Sequence, residues 1–423
     1  MKKDPITRCT KEHPGGPLLK IRSWNSFAPT SDEKLWEQIE KFAEDQKITV
    51  QFDTLDHRII PELIEKQIQE QSGYDIDFLA DEAPWFYRDH LYNVDDLVRD
   101  IQAEHGELYD FARDSTLVEG SWKAVPWFWF AFPGVYREDH FQEAGVSAPY
   151  NWEEVCEAGR VLRQKGHPHP VGIPVNTLLD TVDFMVAFFS ILWGFGGKVL
   201  EKDGKTPALR SPATKNTLEF FKKLYENAMG KNERIFLWDE SGNNQFLLSG
   251  RGSWILNPIG VCVDAFKERK EFADKLGVHS TPAGEDGKRY AYVQFRCLGI
   301  WKFSKNKELA KTLLRYLFQS KTYLEWIAAG SGYNSPPFRK YETHPLWLNH
   351  PKFKVVPGEA QFGHTASWPS PSNSNSYAVN KSRILPRMVA SVIRDGETPE
   401  NAMEKAARDI EKLILTRTTR GKK

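Results

Sequence analysis

The sequence predicts an α/β protein built as two lobes, and three observations carry that prediction. The chain has 423 residues, more than one hydrophobic core accommodates and enough for two α/β lobes of ordinary size. Its first part alternates strand-type and helix-type apolar periods, as a parallel sheet with right-handed crossovers requires. Its composition, 40% hydrophobic and 27% charged residues, is that of a globular chain.

The elements follow in order. Residues 1–17 hold Pro, Gly and Lys without an apolar period and read as a flexible leader. Leu18 to Trp24 is the first strand. Thr30 and Glu33 predict a capping box for the next helix, whose buried stripe is Leu35, Trp36, Ile39, Phe42 and Ala43. A strand over 48–52, a helix over 60–70 and a strand over 74–80 complete the alternation. In such sheets ligands sit beyond the carboxyl ends of the strands.

A second unit begins near Pro126, with helices over 152–164, 180–192 and 214–229 and short strands over 171–174 and 252–256. The strand and loop over 276–283 read as a return to the first lobe, and the helix over 307–320 leads back across the boundary. The N-terminal lobe is thus expected to hold 18–125 and 277–320, and the C-terminal lobe 126–276 and 321–415. Thr398 caps the last helix, Pro399 takes its first position, and 416–423 reads as a frayed basic tail.

Composition narrows the function classes. Lys+Arg and Asp+Glu both number 57, so no bulk field points to nucleic acid or an anionic membrane. Cys9, Cys156, Cys262 and Cys297 lie far apart with no metal-ligand spacing. They leave one or two disulfides open, with Cys156 and Cys262 reading as buried thiols. The longest apolar stretch, 184–195, is shorter than the roughly 20 residues of a membrane span. The start Met1-Lys2-Lys3-Asp4-Pro5 has no apolar region behind it, so no signal peptide is expected in these residues. The chain carries 14 Trp, 14 Tyr and 26 Phe. Trp and Tyr make platforms for ligands with one apolar face and a polar edge, such as pyranose rings.

Five blocks, in order, carry a resemblance. They are 91–97 (LYNVDDL), and 120–126 (GSWKAVP) continuing through Val135-Tyr136-Arg137, 141–146 (FQEAGV) and Asn151-Trp152-Glu153-Glu154. Then come 246–252, 276–283 with 302–310 (KFSKNKELA), and 332–338. Together they are similar to family 1 extracellular solute-binding proteins, the substrate receptors of bacterial ABC sugar importers, over nearly the whole chain. In the first block Asn93 replaces a residue that is usually small or apolar. The resemblance implies a type II periplasmic-binding-protein-like fold with the ligand in the inter-lobe cleft and hinge closure as the mechanism. It further implies a periplasmic or cell-surface location, ABC permease partners, and neither cofactor nor nucleic acid; the chain is expected to be a monomer.

A sugar site needs flat faces for stacking and planar polar groups for hydroxyls. Such residues at predicted strand ends and loops are Trp24, Asn25, Asp81, Glu82 and Trp85. At the boundary, alternation selects Trp127 and Trp129 from a run of four aromatics. In the second lobe the candidates are Asn176, Asp180, Trp193, Trp254 and Asn257. The family implies cleft roles for Gln294 and Arg296, and Tyr333 and Trp368 lie on late loops.

No catalytic or metal set competes. Asp81 and Glu82 are adjacent and do not supply the opposed carboxylates of a glycosidase, roughly 5–9 Å apart. His167-Pro168-His169-Pro170 lacks a third ligand and reads as solvated surface. Two alternatives remain: the same fold binding an amino acid derivative, a uronate or a quaternary amine, and a glycan-active enzyme.

Overall fold

The computed structural model describes residues 5–178, 182–262 and 269–420. The chain divides into two compact units, Met1–Phe130 with Phe295–Leu346, and Ala131–Gln294 with Trp347–Lys423.

The first unit is built on a six-stranded sheet in the order Ile6–Cys9, Thr49–Leu55, Leu18–Trp24, Ile76–Ala80, Gln294–Ile300 and Val125–Phe130. Leu18–Trp24 runs parallel to both Thr49–Leu55 and Ile76–Ala80. The crossovers are the helices Pro29–Gln46 and Ile60–Glu70, so this part of the unit matches the expected β-α-β-α-β order. Gln294–Ile300 enters antiparallel to Ile76–Ala80, with Arg296 opposite Ala80. The strand ends Trp24, Leu55 and Ala80 therefore share one edge with Arg296.

Four expectations are corrected here. Residues 6–9 are not loose: they pair antiparallel with Thr49–Leu55, Thr7 opposite Asp53. A four-residue edge strand carries too short an apolar alternation to stand out from a polar leader. Thr30 does not cap its helix, which begins at Pro29; Thr30 Oγ1 instead donates to Ala329 O at 2.7 Å. The strand Leu276–His279 stays in the second unit, antiparallel to Gly134–Arg137. Residues 321–346, expected in the C-terminal lobe, belong to the first unit, where the helix Ser320–Ala329 packs on Pro29–Gln46. The boundaries accordingly fall after Phe130, Gln294 and Leu346, because Val125–Phe130 and Gln294–Ile300 are neighbours in the first sheet.

The second unit holds a four-stranded sheet in the order Leu276–His279, Gly134–Arg137, Trp254–Leu256 and Val171–Gly172. Helices cover it. Trp152–Gln164 starts where expected, with Asn151 accepting from Glu154 N–H at 2.8 Å. Val182–Gly194 is buried along its whole length, so it shows no polar face. The last helix, Pro399–Arg420, extends into the segment expected as a frayed tail, as far as Arg420; Arg417 Nη1 donates to Ser374 O at 2.8 Å. All four cysteines are free, Cys9 exposed and the others buried. Burial pushes the Cys156 thiol up to about 11 and Cys262 up to about 12, which leaves both inert.

Candidate functional site

In the first unit the candidate residues gather at the carboxyl edge of the sheet. The Arg296 guanidinium lies 4.8 Å from the centre of the Trp24 ring and 5.3 Å from that of Phe130. Trp24 and Phe130 meet edge to face at 5.8 Å, and Tyr333 meets Phe130 at 4.7 Å. Arg296 Nη1 donates to Phe295 O at 3.0 Å and stands 4.0 Å from Asp81 Oδ1. Asp81 follows its strand with φ at 53°, a left-handed conformation uncommon for a residue with a side chain. That bend lets Asp81 exchange two bonds with Phe295: its N–H donates to the carbonyl at 2.9 Å, and its Oδ1 accepts from the Phe295 N–H at 3.1 Å. The carboxylate is thereby locked beside the guanidinium. Asn25 continues from Trp24, and its Nδ2 has no hydrogen-bond partner among the described residues. Glu82 is buried next to Asp81. His57 closes this edge, its ring 6.4 Å from that of Trp24.

Three candidates of this unit are placed elsewhere. Trp127 packs against Phe318, Tyr323 and Trp326 in the core. Trp129 is equally buried, and its indole N–H donates to Pro336 O at 2.9 Å. The alternation holds, but the opposite face meets the edge. All six residues of Val125–Phe130 are buried, so the pattern carries no inside-outside signal, and it is Phe130 that meets Trp24 and Arg296. Trp85 is half-buried, with its indole N–H spent on Asp114 O at 2.7 Å.

In the second unit the carboxyl ends of Val171–Gly172 and Trp254–Leu256 lead to amides. Asn176 Nδ2 donates to Trp238 O at 2.9 Å, and its Oδ1 accepts from Leu178 N–H at 2.8 Å. Asn257 Oδ1 accepts from Asn243 Nδ2 at 3.2 Å. Beside this pair is Asp183, which no sequence signal singled out. Burial, aided by the charge of Glu240, holds its carboxyl well above the usual carboxylate range. Its Oδ2 has no partner among the described residues. Trp193 and Trp368 meet edge to face at 5.4 Å, and Trp368 stacks on His364 at 4.2 Å. His364 is a second residue that sequence reasoning missed; its only signal was its distance of four positions from Trp368. Trp254 is a core residue, its indole N–H bound to His279 Nε2 at 2.8 Å. Gln294 is buried at the start of its strand. Asp180 lies outside the described residues.

The described residues contain no group of three or more His, Cys, Asp or Glu side chains able to hold a metal ion. Among them no helix is long and apolar enough to cross a membrane.

Comparison with known proteins bears on these features. A family model described as a bacterial extracellular solute-binding protein matches residues 37–355. A Brucella abortus (strain 2308) protein named as a binding protein is 27% identical over 188 residues, covering 44% of this chain and 43% of its own length. A Deinococcus radiodurans protein named as an ABC transporter-binding protein is 27% identical over 217 residues, 47% of this chain and 48% of that one. The chain thus spans less than half the length of these curated relatives. Among solved structures, the maltose-bound MalE3 of T. maritima superposes with a TM-score of 0.80 at 22% identity, covering 94% of this chain and 99% of that one. An ABC transporter solute-binding protein from Thermotoga lettingae, bound with α-D-tagatose, gives 0.79 at 18% identity over 94% and 99%. At these identities the likeness is one of fold.

Proposed function

The chain belongs to the bacterial extracellular solute-binding protein family, and from that membership we propose that it is a non-catalytic receptor for a mono- or oligosaccharide. It acts outside the cytoplasm as a monomer and delivers its solute to the permease subunits of an ABC importer. Ligand-driven hinge closure is part of this reading, tested by a fall in radius of gyration when the solute is added.

One observation supports the reading most: the first unit places an indole ring, a buried guanidinium and a carboxylate side by side on one sheet edge. An aromatic face beside planar polar groups is what a pyranose asks of its site. The sugars present in related structures of the same fold, tagatose and maltose among them, point the same way. A quaternary amine fits less well, because Arg296 already covers the Trp24 and Phe130 rings with positive charge.

The test is a thermal-shift screen across neutral, acidic and amino sugars, amino acids and quaternary amines, with product analysis of each mixture. Stabilisation by a sugar without turnover is the expected result. Turnover of a glycan, or stabilisation by amino acids or amines alone, would overturn the proposal. Trp24→Ala and Arg296→Ala are each expected to weaken the sugar found by about tenfold or more, the loss of one stacking platform or one charge-assisted contact. Unchanged circular dichroism separates that loss from misfolding.

A further inference from the structure

The second unit contains a cavity of about 610 Å³, within the roughly 300–1,000 Å³ of small-molecule sites. None of the candidate residues described above lines it. His167, His169, Arg234, Arg251, Trp238 and Phe246 all line it. The side chains of Asn232 and Gln245 complete the polar lining, and no lining residue is a carboxylate. The reading of His167 to Pro170 as plain solvated surface therefore misses what the fold does with those histidines.

The aromatic part of the lining is built rather than incidental. Trp238 and Phe246 meet at 5.0 Å. The Phe246 ring lies against the backbone of Gly172 and Gly252: a Cβ on Gly172 would come within 2.6 Å of the ring, and one on Gly252 would collide with it. Glycine at both positions makes room for the ring. The loop that carries the histidines is tied down as well, since His169 Nδ1 sits 3.1 Å from Met229 O. That bond places the Nδ1 proton on the carbonyl and leaves Nε2 for another partner.

Among the described residues no ion pair neutralises the charge on the walls. Among the described residues neither Arg234 nor Arg251 forms an ion pair; Arg251 Nε donates only to Ser249 Oγ, at 3.0 Å. Two of the neighbouring acids have hydrogen-bond partners of their own. Glu233 accepts from the Tyr225 hydroxyl at 2.6 Å, and Asp239 accepts from the Ser241 hydroxyl at 2.7 Å. Two guanidinium groups, two imidazoles and two aromatic rings in one lining suit a flat ring carrying an oxyanion, because guanidinium pairs with phosphate or carboxylate in bidentate fashion.

We propose that this cavity is a second binding site, for a ring compound bearing a phosphate or carboxylate group. Its lining shares no residue with the candidates for the solute. Calorimetric titration of the full chain with a nucleoside monophosphate and, separately, with an aromatic carboxylate distinguishes the two oxyanions. The neutral nucleoside and the aromatic amide serve as matched controls. At least one anion is expected to bind. Its affinity should fall about tenfold in Arg234→Gln and in Arg251→Gln, the loss of one charge-assisted pair each. The neutral controls should bind at least about tenfold more weakly. Both arginines are exposed, so folding is expected to survive. Protection of Arg234 and Arg251 from phenylglyoxal by the bound anion gives a readout on the unaltered protein. Absence of binding by both anions at millimolar concentration overturns the proposal. So does binding that ignores both substitutions, or equal binding of the neutral controls. Sugar binding measured alongside reports separately on the receptor reading.

Discussion

Asp77→Ala is expected to destabilise the first unit by about 3–5 kcal/mol, the cost of stranding a buried charge. Asp77 and Arg22 face each other across adjacent strands and are both buried. Arg22 Nε and Nη2 donate to the two carboxylate oxygens at 2.6 and 2.8 Å. Asp77 Oδ2 also accepts from the Trp301 indole at 2.6 Å and from Gln67 Nε2 at 2.7 Å. Alanine removes the partner of the guanidinium and orphans two further donors at once. The Tyr74 ring, 4.6 Å from the guanidinium, offers only partial compensation. Replacing both charges, Arg22→Met with Asp77→Leu, should cost less than Asp77→Ala alone, since neither partner of the pair is then left charged and unpaired. Urea unfolding checks both results: the midpoint falls while the slope is unchanged. A midpoint for Asp77→Ala close to that of the unaltered chain would show that the pair is not held as described.

Acid is expected to weaken the second unit through His279. Burial is the main cause that lowers this imidazole from its ordinary value to about 4. Its Nε2 accepts the Trp254 indole N–H at 2.8 Å, and its Nδ1 lies 2.8 Å from Ser280 O and donates to it. A second ring proton would set donor against donor at Trp254. The unfolded chain binds that proton near the usual histidine value and the folded chain does not. Stability is therefore fully present above about pH 6.5, falls as pH drops, and is lost near pH 4. The size is about 3 kcal/mol. His140, lowered to about 4 chiefly by burial, acts in the same direction, by less because it is only half-buried and its charge is better solvated. The substitution His279→Gln retains an acceptor for Trp254 and removes the titrating ring. Thermal unfolding across this pH window should be flatter in that variant. A profile as steep as that of the unaltered chain would assign the acid sensitivity to other groups.

Much of this architecture is legible in the order of residues. Leu18–Trp24, Ile60–Glu70 and Trp152–Gln164 fall where their apolar periods and caps put them. Trp24, Asn25 and Asp81 are candidates because the pattern puts them at strand ends, and they do end or follow strands in the fold. Arg296 enters through the family resemblance, and the register opposite Ala80 carries it to the same edge.

What the residues alone determined is local: period, cap, strand end and aromatic density each depend on a few neighbours in the chain. Tertiary structure alone decided what depends on distant partners. A strand buried on both faces has no polar side to mark its orientation, so only packing against Phe318 and Trp326 turned Trp127 inward and left Phe130 for Trp24 and Arg296. Asp183 acquires its raised pKa, and His167 with His169 their share in one cavity lining with two arginines, from segments far along the chain. Burial and charge are properties of the assembled neighbourhood, and no spacing between residues encodes them.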